Sequence, residues 1–128
     1  MISIPHRTVL ASLFVGGALL AGVSTFTLKP AAQGTTREFT ISGDQFAFKP
    51  LRIEVQKDDL VKITFTAKDI PHSFTIDRYR IAKRVEPGKS IVFEFRADQP
   101  GRFPIYCSLA TDERCKEMTG ELIVEARK

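Results

Sequence analysis

Tryptophan is absent from this chain of 128 residues, and histidine, cysteine, methionine and tyrosine occur only twice each. Two cysteines cannot build a scaffold of several bridges; they can form one disulfide or supply two thiolates to a metal. A concentrated charge of one sign is also missing. The 19 Lys and Arg stand against 15 Asp and Glu, a net +4 spread along the chain, which excludes the basic stripe of a nucleic-acid binder. No glycine-rich phosphate loop occurs, and only one histidine lies beyond the N-terminal region, so a Ser-His-Asp set cannot be assembled there. The length leaves room for one domain, and a charged fraction of 27% is that of a folded chain. No enzyme is expected from these absences.

One long hydrophobic run is present. Val9 to Leu28 reads VLASLFVGGALLAGVSTFTL, without a charge, and as a helix would span about 30 Å, the thickness of a bilayer core. Its centre, Val9 to Val23, also has the length of a secretory hydrophobic region. Residues 1–28 are therefore expected to be a signal peptide or a single transmembrane anchor, residues 29–36 a polar linker, and residues 37–128 the folded domain. Both readings export the domain to the periplasm or another extracytoplasmic space. If uncleaved, residues 9–28 anchor it to the inner membrane as a hydrophobic helix.

From Arg37 onward the apolar residues recur with period two. Phe39 and Ile41 alternate first, then Phe46 and Phe48, then Leu51, Ile53 and Val55 with Arg52 and Glu54 outward. Val61, Ile63 and Phe65 follow, then Phe74 and Ile76 with Ser73 and Thr75 outward, then Ile91, Phe93 and Phe95, Phe103 and Ile105, and finally Leu122 and Val124. Turn signals stand between these runs at Ser42-Gly43-Asp44, Lys57-Asp58-Asp59, Glu86-Pro87-Gly88-Lys89 and Gln99-Pro100-Gly101. Alternation broken by turns at this spacing predicts an all-β antiparallel sandwich of about seven or eight short strands. Ten Phe would fill its core with phenyl rings. Helical spacing arises only at Ala110 to Lys116.

The soft metal ligands of the domain lie in two places. His72 stands in Asp69-Ile70-Pro71-His72-Ser73-Phe74, and Cys107, Cys115 and Met118 fall within one short run. One imidazole, two thiols and one thioether form the set that selects copper, above all Cu(I). Zinc would prefer carboxylates to a thioether, and calcium or magnesium would need clustered oxygens. One strand and one loop could close such a site at the end of a sandwich. Beside this reading stands another: Cys107 and Cys115 lie close in an exported chain, where an oxidising compartment tends to pair thiols. His72 would then be a strand-end histidine and Met118 a core residue.

The residues from Glu38 to Glu125 resemble the cupredoxin family. The resemblance rests on Phe48-x-Pro50-x-x-Ile53-x-Val55, Leu60-Val61-x-Ile63-x-Phe65, Pro71-His72-Ser73-Phe74, Val85-x-Pro87-Gly88, Phe93-x-Phe95, Pro100-Gly101-x-Phe103-x-x-Tyr106-Cys107 and Met118-x-Gly120-x-Leu122-x-Val124, in that order. It implies a Greek-key cupredoxin-like β-sandwich. Within the family the spacing is most similar to the copper domains of cytochrome c oxidase subunit II and nitrous oxide reductase, whose pattern is Cys-x3-Cys-x3-His-x2-Met with an upstream His. His72, Cys107 and Met118 match that pattern. Thr111 stands where its second Cys belongs, and Cys115 where its second His belongs. The resemblance therefore implies one copper ion held by His72, Cys107, Cys115 and Met118 rather than a dinuclear centre.

Three functions follow as expectations. The first is electron transfer through a mononuclear copper site, with a redox partner protein. The second is a copper or iron carrier that exchanges metal with a donor or acceptor; similarity to cupredoxin-like domains of periplasmic iron uptake keeps iron open. The third is a metal-free interaction domain with a Cys107–Cys115 disulfide. Asp112, Glu113 and Glu117 read as solvated loop charges, any of which could complete a site for a harder metal. Arg78, Arg80, Lys83 and Arg84 with Tyr79 form the densest basic cluster. It would suit an acidic partner, or be a solvated face.

Overall fold

A computed structural model describes residues 16–18, 22–28 and 34–128. Most of the expected anchor and linker therefore lies outside the described residues. Gly16 to Ala18 and Gly22 to Leu28 carry no regular secondary structure. Among the described residues no helix is long and apolar enough to cross a membrane.

Nine strands follow one another: β1 Thr36–Asp44, β2 Ala47–Lys49, β3 Arg52–Gln56, β4 Leu60–Ala67, β5 His72–Ile76, β6 Ile81–Val85, β7 Ser90–Arg96, β8 Gly101–Tyr106 and β9 Thr119–Glu125. They form a four-stranded sheet in the order β2-β1-β4-β7 and a five-stranded sheet in the order β3-β9-β8-β5-β6. The result is the all-β sandwich expected from the alternation, with one or two more strands. The expectation of purely antiparallel pairing needs correcting. β1 runs parallel to β4 and β3 parallel to β9, because β3 leaves the first sheet for the second before β4 returns. Such crossovers are what parallel neighbours require, and alternation is silent on them.

The inward positions bury Ile41, Ile53, Val55, Val61, Ile63, Phe65, Ile105, Leu122 and Val124. Four rings make the centre: Phe65 and Phe74 lie 5.5 Å apart, Phe74 and Phe93 5.4 Å, and Phe48 sits 5.9 Å from both Phe65 and Phe74. These are separations at which tilted and edge-on rings attract beyond their buried area. The Glu86-Pro87-Gly88-Lys89 turn forms as expected. Lys89 N donates to Glu86 O at 3.0 Å and Gly88 takes φ +73°, the conformation a type II turn demands of its second central residue.

Three local expectations are corrected. Leu51 is not inward but 60% exposed, because the pleat of β3 begins only at Arg52. Ser73 and Thr75 do not face solvent: both are buried, and their hydroxyls bond to Ser108 just after β8. The first hairpin does not turn at Ser42-Gly43-Asp44, which belongs to β1, but at Gln45-Phe46, both at positive φ. The helical spacing at Ala110 to Lys116 resolves into one 3-10 turn, Glu113–Glu117, capped by Asp112, whose Oδ1 accepts from Arg114 N at 2.9 Å.

Candidate metal centre

The four residues expected as ligands gather at one end of the five-stranded sheet. Thr75 of β5 pairs with Tyr106 of β8, so the next position in the same register puts Phe74 opposite Cys107. Tyr106 pairs in turn with Thr119 of β9, and Cys107 N donates to Met118 O at 3.2 Å. Residues opposite one another in antiparallel strands share a face, and so do residues two apart on one strand. His72, Phe74, Cys107 and Met118 therefore all point into the sandwich. All four are buried. Cys115 reaches the same place from the 3-10 turn, where its carbonyl accepts from Met118 N at 3.1 Å.

Cys107 and Cys115 are joined in a disulfide, with their Cα atoms 5.3 Å apart. Of the two readings left open by the sequence, the structure contains the bridge. No three His, Cys, Asp or Glu side chains among the described residues are grouped to hold a metal ion. A ligand role for both cysteines belongs to the reduced chain.

His72 has the environment of a positioned ligand. Its Nε2 lies 2.6 Å from Asp69 Oδ1. Asp69 also accepts from Gln45 N at 2.9 Å and from Ile70 N at 2.9 Å. Burial pushes the Asp69 carboxyl upward, but the Gln45 amide, the His72 ring and the Ile70 amide outweigh it and hold the group down at about 2. An ionised Asp69 puts a proton on Nε2, so in the neutral ring the lone pair lies on Nδ1. Nδ1 is buried and has no hydrogen-bond partner. A metal-binding imidazole has this pattern: one nitrogen fixed by a carboxylate, the other bare.

The walls around His72 come from the first hairpin. A Cβ added to Gly43 would lie 2.9 Å from His72 Cδ2 and 3.0 Å from Cγ, so the glycine is needed for the ring to sit there. Phe46 meets His72 edge-on, with ring centroids 6.0 Å apart, and the Arg114 guanidinium stacks over Phe46 at 4.2 Å. On the outer face, Ser73 Oγ accepts from Ser108 N at 2.6 Å, and Thr75 donates to Ser108 Oγ at 2.9 Å. These bonds tie the residue after Cys107 to β5, next to His72.

Asp69, Gly43 and Phe46 were not among the sequence candidates. Asp69 three residues before His72 offered a signal. Gly43 offered one only as a turn residue, which it is not. Two of the loop acids have other work: Asp112 caps the 3-10 turn, and Glu113 pairs with Lys116 at 3.1 Å. In the basic cluster Arg84 pairs with Glu86 at 2.8 Å, Lys83 lies 6.0 Å above the Phe93 ring, and Tyr79 packs on Phe95 at 4.8 Å.

The fold is thus a two-sheet β-sandwich whose inner face carries His72, Cys107 and Met118 at one end of the five-stranded sheet. Residues 17–124 match the cupredoxin-like domain model, and the chain belongs to that family. Nitrous-oxide reductase of Cupriavidus necator is 32% identical over 84 residues, which cover 62% of this chain and 13% of that protein. This chain thus corresponds to a small part of that relative. Copper nitrite reductase of Nitrosomonas europaea superposes with TM-score 0.64 at 19% identity, over 73% of this chain and 43% of that one. The metal-binding domain of the Cu(I)-exporting P-type ATPase of Streptococcus pneumoniae D39, solved with Cu(I), gives 0.60 at 18% identity, over 73% and 90%. At these identities the two structures establish the fold alone.

Proposed function

We propose that the dithiol form of this domain binds one copper ion through His72, Cys107, Cys115 and Met118, and that the chain works as an electron carrier and turns over no substrate. The observation that carries this reading is the bare, buried Nδ1 of His72, on the inner face shared with Cys107 and Met118. Reaching the dithiol requires two electrons and two protons at the Cys107–Cys115 bond, supplied by an exported dithiol. When bound, copper would shuttle one electron between Cu(I) and Cu(II), with the soft sulfur donors favouring Cu(I).

The chain's own residues would do the rest. Asp69 orients the imidazole, the backbone bonds among Cys107, Met118 and Cys115 hold the sulfur donors, and the buried surroundings exclude water. An exported location is supported by the apolar run at 9–28 and by the disulfide, which persists in oxidising compartments. Outside the cytoplasm the carrier would meet a redox partner protein.

Voltammetry of the copper-loaded reduced chain, with EPR and visible spectra, tests this reading. A reversible one-electron wave and a thiolate-to-copper band in the oxidised form are expected. Metal that binds and passes to a chelator without a wave would instead identify a copper or iron carrier. The disulfide favours a second reading, a metal-free interaction domain; a reduced chain that takes up no metal would establish it.

A further inference from the structure

Gln45 and Phe46 form a two-residue hairpin turn with φ of +50° and +59°. Turns of this kind normally use Asn and Gly, since other side chains lose about 1–2 kcal/mol in the left-handed region. Strain of this kind persists only where the surroundings over-determine it. Here they do: the Gln45 amide is held by Asp69 and the Gly43 carbonyl accepts from Lys68 N at 2.9 Å.

The strained turn delivers the Phe46 ring, edge-on, to His72. Arg114 reaches the same ring from the 3-10 turn that carries Cys115. The contact joins the hairpin that walls His72 to the loop that carries Cys107, Cys115 and Met118. We infer that Phe46, clamped by Arg114, is a positioning residue that closes the hairpin side of the His72 ring and governs the access of small solutes, metal included, to that imidazole. Its use in metal exchange rests on the copper reading; the closure itself does not.

The test uses the full chain as wild type, Phe46→Gly and Arg114→Gln. Glycine accepts positive φ without strain, so Phe46→Gly removes the ring while relieving the turn. Arg114 is an exposed side chain whose loss leaves the core untouched, which keeps the question answerable if the first variant folds poorly. Metal-free chains are treated with diethyl pyrocarbonate, and carbethoxylation of His72 is followed by peptide mass spectrometry with thermal unfolding alongside. Copper-loaded reduced chains are followed by Cu(I) withdrawal into a chromogenic chelator.

His72 labelling is expected to rise several-fold in Phe46→Gly and by less in Arg114→Gln, with faster Cu(I) withdrawal in the same order. Labelling that stays at the wild-type rate in both folded variants overturns the closure. Labelling that rises in a chain that binds no Cu(I) supports the closure while removing the copper reading.

Discussion

Asp69 Oδ1 stands 2.6 Å from His72 Nε2, and its other oxygen accepts the amide of Gln45 at 2.9 Å. One carboxylate thus sets the orientation of the imidazole and anchors the turn that walls it. Asp69→Ala is expected to weaken copper binding by about 10–100-fold, the usual cost of losing the partner that orients a ligand. It should lower stability by only about 1 kcal/mol, since the carboxylate is partly exposed. Chelator competition read against thermal unfolding separates the two effects.

Gly43 leaves no room for a side chain beside His72. In Gly43→Ala the new Cβ meets the imidazole at 2.9–3.0 Å, and a ring enclosed on all sides cannot retreat as the tip of a lysine would. A destabilisation of about 1–3 kcal/mol is expected from such overpacking. A changed His72 ring resonance by NMR would locate the strain.

The Cys107–Cys115 bridge closes a short loop, with a sequence separation of 8. Constraint of the unfolded chain by such a loop corresponds to about 2.5 kcal/mol in the loop-entropy model. Reduction, or the paired change Cys107→Ser with Cys115→Ser, should lower the denaturation midpoint accordingly. Copper added to the reduced wild type should recover the loss, whereas the double variant should not respond.

Asp59 anchors the opposite end of the domain. Its buried carboxylate accepts from Thr35 N at 3.0 Å, Gln56 N at 2.9 Å and Arg127 Nη2 at 2.8 Å. Burial alone would raise its pKa, but the Gln56 and Thr35 amides, the Arg127 charge and the Thr35 hydroxyl together lower it. A depressed native pKa means that the unfolded chain binds more protons, so this contribution is complete above the ordinary carboxylate range near pH 4 and is lost as pH falls through the native value. Asp59→Asn should cost about 1–3 kcal/mol at pH 7. The gap from wild type should narrow in acid, measured by urea unfolding across pH 2–7.

The strands were legible because alternation reports burial directly: Ile53, Val55, Val61, Ile63 and Phe65 are all inside. The parallel neighbours β1 with β4 and β3 with β9 were not, because pairing between distant strands leaves no local pattern. Ser73 and Thr75 were misread for a related reason. Alternation assumes one wet face, whereas all five residues of β5 are buried. At the candidate site, residue type and order singled out His72, Cys107, Cys115 and Met118, which lie together at one end of the five-stranded sheet. The walls could not: Phe46 enters through a turn whose residues are not turn formers, and Gly43 is small because a ring from another strand lies against it.

In the proposed function, the pair of thiols decides whether this domain holds copper. The most direct test is a Cu(I) titration of the full chain against a chelator of known affinity, in the disulfide and dithiol forms side by side, with His72→Ala in the dithiol form. One Cu(I) per chain bound tightly by the dithiol, none bound tightly by the disulfide, and a weakened site in His72→Ala are the expected results. Equal binding by the two sulfur states, or no Cu(I) bound by the dithiol, would contradict it.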